Sequence, residues 1–351
     1  MKTSLRTVRL DLAEPLRISR STTTAREAVW LTLAHEGERG HGEAVTSVYY
    51  GLDAPGLGRL LDVEAQWLAR FADPESALEA FRTGARKDTP PAVAAAVESA
   101  LLDLVGKRAG VPVHRLLGSH EAQPSAATAR TIGITAPART GALAARLVRE
   151  GFSVLKLKVG VPDPAEDLAR VRAVRAAAPH ARLLLDPNGA WSVPEAERLL
   201  AFSAELGVEA VEQPLAPGDP EALARFAERS PLPVIADEDA IDVDDARRLA
   251  GRVQGVNVKL AKCGGVGAAS RIADLLDGSG TDLMLGCLTA STLSLAPAVH
   301  LVHRARWVDL DGHLLLAHDP WTGIGGTDGT VRVSRTPGLG VRERGPREGR
   351  P

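Results

Sequence analysis

Residues 181–188 read ARLLLDPN, a short apolar run that ends in a carboxylate, and this pattern decides the fold. Similar runs are VLKLKVG at 154–160, VEAVEQP at 208–214, PVIADED at 233–239 and VNVKLAKCGG at 256–265. A short continuous apolar run bounded by turn residues is typical of a strand that is buried on both faces, as in a parallel sheet. These segments therefore predict consecutive strands of one parallel sheet, each ending in charged side chains.

The spacing of the predicted strands indicates how the sheet closes. From residue 127 onward, strand-like segments begin roughly every 20 to 30 residues and alternate with amphipathic helices, as expected for β/α units. The predicted strands cover residues 127–134, 153–159, 182–186, 208–212, 234–237, 255–260, 283–287 and 307–311. We therefore predict an α/β fold, a modified (β/α)7β barrel of the TIM type, in which all carboxyl strand ends open onto one mouth.

The chain is longer than a barrel requires. It has 351 residues, whereas a bare β/α barrel needs about 250. We predict an α+β capping domain over residues 1–120, the barrel over 121–316, and a C-terminal segment over 317–341 that packs back on the cap. The last stretch, 342–351, is charged and rich in Gly and Pro, so we expect it to be disordered.

Within the cap, alternating residues predict antiparallel strands. The predicted strands are 5–12, 28–34 and 42–45, with a turn at Gly37 and Gly40 before the third. Helices follow these strands along the chain.

Composition and charge exclude several classes of partner. The 42 Lys and Arg residues nearly balance the 44 Asp and Glu residues, so no strong basic field favours nucleic acid or a membrane surface. No apolar run of about 18 residues predicts a transmembrane helix, and the N-terminus lacks a signal-peptide core. Cys263 and Cys287 are too few for a disulfide framework. We therefore expect a cytoplasmic protein that acts on a small molecule.

Charged side chains at the strand ends form a candidate metal and acid/base site. Asp186, Glu212 and Asp237 end three successive strands, and converging carboxylates repel one another unless a hard dication lies among them. Ligation by oxygen alone is typical of Mg²⁺, so we predict one Mg²⁺ per subunit. Lys158 and Lys259 end strands on opposite sides of the predicted barrel, and a lysine on either side of such a cation suits acid/base chemistry at carbon.

Lys156 lies on the same strand face as Lys158, because side chains in a strand alternate with period two. Two close ammonium groups, with a metal dication nearby, are expected to depress each other's pKa, which a lysine needs in order to act as a base near neutral pH.

Five motifs follow one another between Leu155 and Gly265: K-x-K, D-x-N, E-Q-P, A-D-E and V-K-L-x-K-x-G-G. Their order resembles the enolase superfamily, in its muconate-lactonizing subgroup. The resemblance covers most of the chain, including GHGEA at 40–44 and PGLG at 337–340. It implies that Lys158 and Lys259 are the acid/base pair and that the metal stabilises an enediolate. The same resemblance assigns Asp186, Glu212 and Asp237 to Mg²⁺, and Lys156 and Asn188 to supporting roles.

The eighth predicted strand indicates the substrate. Residues 307–312 read WVDLDG, and Asp309 with Asp311 resembles the D-x-D of dipeptide epimerases, where the pair holds the substrate's α-ammonium. Two carboxylates on one strand face also form a strong cation site. The alternative to a cation site is structural: one aspartate caps the next segment and the other faces solvent.

Some positions depart from the family pattern. Where epimerases of L-Ala-L-Glu carry an arginine for the glutamate side chain, this chain has Ser21, with Arg20 beside it. L-Ala-L-Glu is therefore not expected to be the best substrate. Ala290 lies where many relatives have glutamate, and Thr131 is a candidate hydrogen-bond donor to the substrate, although an ordinary strand threonine fits as well.

These features predict a Mg²⁺-dependent dipeptide epimerase that inverts the α-carbon of the C-terminal residue by proton transfer between two lysines, working as a homo-oligomer. Alternatives on the same scaffold are o-succinylbenzoate synthase, N-acylamino acid racemase and muconate cycloisomerase, whose substrates lack a free ammonium. A metal-binding module without catalysis and a Schiff-base aldolase barrel remain as alternatives of other classes.

Overall fold

The computed structural model describes residues 1–345, which form a cap of antiparallel strands and helices beside a barrel of parallel strands. The cap sheet has the order β1-β2-β3 and pairs antiparallel throughout. Its strands are β1 Lys2–Ile18, β2 Ser21–His35 and β3 Glu38–Val45, and its helices are α1 Ala54–Leu68, α2 Pro74–Ala80, α3 Pro91–Ala109 and α4 Val113–Leu116.

The first two strands are longer than the sequence pattern predicted. Their hairpin continues past Asp11, after a break in register, and closes where Ile18 pairs with Ser21. The added residues are mostly polar and exposed, so they lack the alternation that marks a half-buried strand. This extension brings the hairpin tip to the barrel, because Arg20 Nη1 donates to Asn188 O at 2.9 Å.

The turn before β3 lies at Glu36 and Gly37, which both have positive φ. Gly40, predicted to share this turn, instead lies inside β3 against helix α3. A Cβ at Gly40 would come within 2.1 Å of Ala100 O, so the glycine allows the helix to pack directly on the sheet. Helix α3 ends at Gly110, which adopts a left-handed conformation that terminates helices.

Within residues 1–345 the barrel sheet has eight strands in sequential order, which confirms the predicted fold. A short strand, β4 Ser125–Ala127, precedes it. The barrel strands are β5 Ala129–Ile132, β6 Val154–Lys158, β7 Arg182–Asp186, β8 Ala210–Glu212, β9 Val234–Ala236, β10 Gly255–Lys259, β11 Asp282–Gly286 and β12 Trp307–Asp309. The helices between them are α5 Pro137–Arg149, α6 Pro164–Ala177, α7 Val193–Glu205, α8 Pro220–Ala227, α9 Val243–Leu249, α10 Leu260–Cys263, α11 Val266–Leu276 and α12 Thr292–Val299.

Several barrel helices begin with the same local signal, a side-chain cap followed by proline. Asp163 accepts a hydrogen bond from Ala165 N, and Asp219 accepts one from Ala222 N, both at 2.9 Å. The cap satisfies a free backbone donor, and proline in the first turn has no donor to leave unpaired. These caps fix where the loops that precede α6 and α8 end.

The first and last barrel strands lie side by side, and side chains join them. Among the described residues, no backbone ladder connects β5 with β12. Instead, Leu310 N donates to Thr128 Oγ1 at 2.9 Å and Thr131 N donates to Asp311 Oδ2 at 2.7 Å. Arg130 Nη1 also donates to Asp311 Oδ2, at 2.9 Å. Asp311 is therefore a main link across the seam between β5 and β12.

The C-terminal segment contacts both the barrel entry and the cap. Strand β13 is Trp321–Thr322, β14 is Thr330–Arg332 and β15 is Arg342–Glu343. Strand β14 pairs with β4, while Leu339 N donates to Asp103 Oδ1 of α3 at 2.9 Å.

The first residues of the tail, which were expected to be disordered, form a short strand. Arg342 and Glu343 pair with Thr322 and Trp321, because the preceding PGLG turns bring the chain back beside β13. The rest of the predicted tail, residues 346–351, lies outside the described range. No helix in the described part of the chain has the length and apolarity needed to span a bilayer.

Candidate active site

An apolar layer fills the inside of the barrel, and a polar layer lies directly above it. The apolar layer is a separate cluster with one residue from nearly every strand: Ala129, Val154, Leu184, Ala210, Ile235, Met284 and Trp307. Residues two positions further along a strand face the same side. The next layer therefore consists of Thr131, Lys156, Asp186, Glu212, Asp237, Gly286 and Asp309.

Lys156 lies at the centre of this polar layer and is buried. Its Nζ lies 3.0 Å from Asp186 Oδ2, 2.6 Å from Glu212 Oε2 and 2.7 Å from Asp309 Oδ2. Burial disfavours the ammonium, but the three carboxylates outweigh it and hold the pKa of Lys156 well above its usual value. Lys156 is thus surrounded by carboxylates rather than by other cations.

Lys158 points to the same group of ligands from the strand end. Its Nζ bonds Asp186 Oδ2 and lies 3.2 Å from Asn188 Oδ1. Asn188 has a positive φ, and its backbone N donates to Asp186 Oδ1 at 2.9 Å. Asn188 thus holds both Asp186 and Lys158, which is a positioning contact of the kind predicted.

Lys259 occupies the other side of the mouth. Its Nζ lies 2.6 Å from Asp237 Oδ2. Burial disfavours its charge, but Asp237 and Glu212 raise the pKa of Lys259. A fourth lysine, Lys262, was not singled out from the sequence. It is buried and donates to Asp237 Oδ1 at 2.8 Å and to Asn257 O at 2.8 Å. The V-K-L-x-K spacing contains Lys262, so the signal was present in the motif.

Of the three candidate metal ligands, Glu212 is the one whose pKa is raised rather than lowered. Burial and the neighbouring Asp186 raise the pKa of Glu212 to about 8. Its Oε1 accepts from Asn257 Nδ2 at 2.9 Å, but its Oε2, although close to Lys156 Nζ, has no hydrogen bond of acceptable geometry. A buried, incompletely satisfied carboxylate beside two others suits a hard dication.

The carboxylates are spaced by lysines rather than gathered. Within residues 1–345 no three or more His, Cys, Asp and Glu side chains form a preformed cluster of ligands. Lys156 Nζ lies between Asp186 and Glu212 and contacts both. The donor set fits Mg²⁺ in its chemistry, since Asp186, Glu212 and Asp237 provide only oxygen.

Two further residues that sequence reasoning missed fix these carboxylates. Gly286 has no side chain, and a Cβ there would lie 2.3 Å from Asn257 Oδ1, so the glycine makes room for the amide that bonds Glu212. Gln213 Oε1 accepts from Asp237 N at 3.0 Å. Neither residue carries charge, which is why a search for ionisable strand ends does not find them.

Asp309 and Asp311 both line the mouth but differ in their partners. Asp309 Oδ2 bonds Lys156, whereas its buried Oδ1 has no hydrogen-bond partner. Burial raises the pKa of Asp309, and Lys156 offsets this only in part. Asp311 is bonded by Arg130 and by Thr131 N, and Thr131 Oγ1 lies 3.3 Å from Asp311 Oδ1. Thr131 therefore contacts Asp311 in this structure.

The cap contributes its own side chains to the site. Arg20 Nη2 donates to Glu238 Oε1 at 2.7 Å, and its guanidinium lies 4.4 Å from the ring centroid of Tyr49. Burial opposes the charge of Arg20, but Glu238 raises its pKa. Ser21 lines the same space without a comparable contact. Arg20, a predicted substrate-binding residue together with Ser21, thus lines the cavity while it is paired with a carboxylate of the protein.

A cavity of about 260 Å³ lies between the cap and the barrel mouth. The three candidate metal ligands lie beneath its lining, and the other predicted site residues form part of its wall: Arg20, Ser21, Thr131, Lys156, Lys158, Asn188, Lys259, Asp309 and Asp311. Residues of the cap that the sequence did not single out, among them Tyr50 and Arg26, complete the wall. The strand ends thus meet one cavity with lysines on two sides.

Ala290 is buried beside a contact between cap and barrel. The next residue, Ser291, donates through its backbone N to Glu43 Oε1 at 3.0 Å, and Trp30 Nε1 donates to Glu43 Oε2 at 2.8 Å. Burial raises the pKa of Glu43 to about 7. Ala290 therefore directly precedes the serine that binds a buried carboxylate of the GHGEA motif.

Comparisons with known proteins agree with this architecture. Residues 1–118 match the mandelate racemase/muconate lactonizing enzyme N-terminal domain, and residues 139–344 match the enolase C-terminal domain-like family. The chain is 32% identical to a hydrophobic dipeptide epimerase from Roseobacter litoralis, over 97% of this chain and 98% of the relative. It is 31% identical to an L-Ala-D/L-Glu epimerase from Bacteroides thetaiotaomicron, over 97% and 88% of the two chains.

A solved structure is similar over the same extent. The dipeptide epimerase from Enterococcus faecalis, complexed with Mg and the dipeptide L-Leu-L-Tyr, superposes with a TM-score of 0.89 at 28% identity, over 97% of this chain and 98% of the other. Both domain matches and the near-complete coverage confirm the resemblance drawn from the motifs. The chain belongs to the mandelate racemase/muconate lactonizing enzyme family of the enolase superfamily.

Proposed function

We propose that the protein is an isomerase, a Mg²⁺-dependent dipeptide epimerase that inverts the α-carbon of the C-terminal residue. The observation that carries this proposal is the pairing of two features in one cavity. Lys158 and Lys259 lie on two sides of the mouth, and Asp309 presents a buried oxygen without a hydrogen-bond partner. Relatives named dipeptide epimerases, which align over nearly the whole chain, support the same conclusion.

The lysines account for the chemistry at carbon. One lysine removes the α-proton from one face of the substrate, and the other returns a proton to the opposite face, so the configuration inverts. The base is the neutral amine and the acid is the ammonium form. Asn188 and Asp186 hold Lys158, while Asp237 holds Lys259, so neither Nζ depends on solvent for its position. Fixed positions on both faces are what a two-base transfer requires.

The carboxylates Asp186, Glu212 and Asp237 are the groups that would hold Mg²⁺. When bound there, the metal would neutralise negative charge that develops on the substrate carboxylate as the α-proton leaves. Glu212 fits this role best, because burial and Asp186 already disfavour its free charge. Asn257 orients Glu212 by a hydrogen bond to its carboxylate, and Gln213 orients Asp237 by accepting from its backbone N.

Asp309 favours a dipeptide, whose α-amino group is free, over an acylated amino acid. Asp309 Oδ1 is buried and unpaired, so an ammonium donor would satisfy it. Arg130 already neutralises Asp311, which leaves Asp309 as the main contact for the cation. N-acylation would remove the ammonium and leave this oxygen unsatisfied.

The direct test is exchange of the α-proton. Purified protein with Mg²⁺ is incubated in D₂O with a dipeptide library, and mass spectrometry scores deuterium at the C-terminal residue. We expect deuteration together with inversion, loss of both with EDTA, and recovery when Mg²⁺ is added back. Full turnover in metal-free buffer would refute the metal requirement. Equal or faster exchange of N-acylated amino acids would assign the protein to N-acylamino acid racemisation instead.

Two further expectations concern compartment and assembly. Cys263 and Cys287 are both free thiols, which fits the expected reducing cytoplasm. We also expect a closed homo-oligomer, as is common for soluble enzymes of this kind. Light scattering of the purified protein measures the number of subunits, and fractionation of the producing cell locates it.

A further inference from the structure

A buried glutamate of the cap contacts a helix of the barrel. Glu98 lies on α3, and both of its carboxylate oxygens accept from Gly267 N, at 3.1 and 3.0 Å. Arg82 Nε lies 3.4 Å from Glu98 Oε1. Gly267 belongs to the first turn of α11, whose N-cap residue Gly265 provides no side-chain cap. Glu98 therefore caps a barrel helix from the other domain, because the free N–H groups at a helix start favour a negative charge.

The two glycines that end the V-K-L-x-K-x-G-G motif make this contact possible. Gly264 and Gly265 both have positive φ. A Cβ at Gly265 would lie 2.4 Å from Glu98 Oε2 and 3.3 Å from Ala95 Cα, so a glycine is needed for α3 to approach the start of α11 this closely. The motif therefore connects Lys259 to a point of contact with the cap.

A short hydrogen-bonded path connects this contact to Lys259. Lys259 ends β10 and is followed at once by the single turn of α10. Gly265 N donates to Leu260 O at 3.0 Å, so the start of α11 is tied to the residue after Lys259. In the same turn, Lys262 Nζ donates to Asp237 Oδ1, and Asp237 also bonds Lys259. Strand β10 thus fixes the backbone of Lys259, while the turn after it is held by α11 and so by the cap.

The other lysine of the proposed pair meets the cap through a different contact. Arg20 Nη1 donates to Asn188 O, and Asn188 Oδ1 lies 3.2 Å from Lys158 Nζ. The hairpin tip therefore supports the side of the mouth that holds Lys158, whereas α3 supports the side that holds Lys259. Separate parts of the cap thus hold the two sides of the mouth.

We propose that Glu98 is a positioning residue for Lys259, so that docking of the cap on α11 sets the rate of proton transfer on one face of the substrate. The role rests on the proposed function, in which Lys158 and Lys259 each serve one face. Misplacement of a reacting group by about 1 Å can slow a step about a hundredfold. Loss of the Glu98 contact should therefore slow exchange from one epimer and leave the other almost unchanged, whereas a general loosening of the fold slows both.

The test measures loss of the α-proton from each pure epimer separately. Holoenzyme with saturating Mg²⁺ is assayed in D₂O with the L,L and L,D forms of the dipeptide that exchanges fastest in the library. Lys158→Ala and Lys259→Ala identify which epimer depends on which lysine. Glu98→Ala should lower kcat about tenfold or more for the epimer that depends on Lys259, with less than about a twofold change for the other. Glu98→Gln keeps one acceptor oxygen for Gly267 N and should recover part of the rate.

Glu64→Gln is the matched control. Glu64 is also a buried cap glutamate paired with an arginine, but its partners Arg86 and Thr89 both lie in the cap. Its loss should leave the ratio of the two exchange rates at the wild-type value. Equal slowing of both epimers in the Glu98 variants overturns the role of Glu98, and so does the absence of slowing or the same change of ratio in Glu64→Gln. If neither epimer exchanges with the wild type, the proposed function itself fails, and the role of Glu98 falls with it.

Discussion

The barrel mouth and the cap hairpin face the same cavity but hold their charges differently. At the mouth, every lysine that lines the cavity contacts a carboxylate fixed at a strand end, as Lys156, Lys158 and Lys259 do. On the hairpin, Arg20 is paired across the cavity edge with Glu238, whereas Arg26 is unpaired. The charges at the mouth thus follow from strand register, whereas those of the cap depend on contacts between the hairpin and the barrel.

The barrel and the cap differ in how easily their cavity residues can change position. Strand ends converge because parallel strands share one direction, so a barrel residue keeps its position through many changes elsewhere. The cap reaches the cavity through a hairpin tip and a loop, where Tyr49 is 47% exposed and Val48 is 91% exposed. Such segments change more easily than packed strands, so substrate preference can change while the acid/base groups stay in place.

The largest expected effect is loss of the barrel lysines. Lys158→Ala and Lys259→Ala should each reduce epimerisation about 10²- to 10⁴-fold, because one proton transfer then lacks its acid/base group. One variant should still exchange the α-proton of one enantiomer, which deuterium incorporation from each pure enantiomer measures. Lys87→Ala, an exposed lysine of the cap, is the control. Ordinary turnover in both barrel variants would break the assignment of chemistry to the mouth.

The next effect concerns the ammonium site. Asp309→Asn should reduce the preference for a free dipeptide over its N-acetylated counterpart, by roughly 30-fold or more, since a charged contact becomes neutral. Isothermal titration with Mg²⁺ should show little change, because Asp309 is not among the proposed ligands. An unchanged preference in Asp309→Asn would mean that the ammonium binds elsewhere.

Glu43 tests how firmly the cap is joined to the barrel. Its pKa is raised from 4.5 to about 7, so the folded protein binds the proton more tightly than the unfolded chain does. The stabilisation from this group is complete below pH 4.5 and is lost as the pH rises through 7. The unfolding free energy of the wild type relative to Glu43→Gln should therefore fall by about 2 kcal/mol between pH 5 and pH 8. Urea unfolding at both pH values measures it, and a constant difference contradicts it.

The smallest effect concerns the paired arginine. Arg20→Met removes the contacts with Glu238 and Asn188 O, and Asn188 holds Lys158. We expect kcat to fall about tenfold with a smaller change in KM, because the lysine loses part of its positioning rather than the substrate a contact. Arg20→Lys should restore only part of the activity, since it cannot bridge both partners. A change confined to KM would instead make Arg20 a substrate contact.

The sequence was sufficient for the barrel and for its charged strand ends. Lys158, Asp186 and Lys259 could be identified because each follows an apolar run, and period-two alternation sends such residues to the mouth. The same rule extends to the layer below, since Val154 and Leu184 precede Lys156 and Asp186 by two positions. The fold and the family prediction are confirmed by the sheet order and the domain matches.

Other residues could not be found in this way, because their roles depend on contacts distant in sequence. Gly286 matters only because Asn257 packs against it, and no local pattern indicates that pairing. Arg20 and Arg26 look equivalent in the sequence, yet only the fold brings Glu238 to one of them. The surroundings of Lys156 are a further example, since its three carboxylate partners come from separate strands.

Asp311 couples the stability of the barrel to the binding of a ligand. It links β5 to β12 through Arg130 and Thr131, and it also forms part of the cavity wall. A bound cation that competes for the oxygens of Asp311 weakens the hydrogen bonds that join β5 to β12. Substitutions that adapt this wall to a new ligand therefore also alter the resistance of the barrel to opening. The substrate range of this scaffold is thus limited at Asp311 by mechanical integrity as well as by recognition.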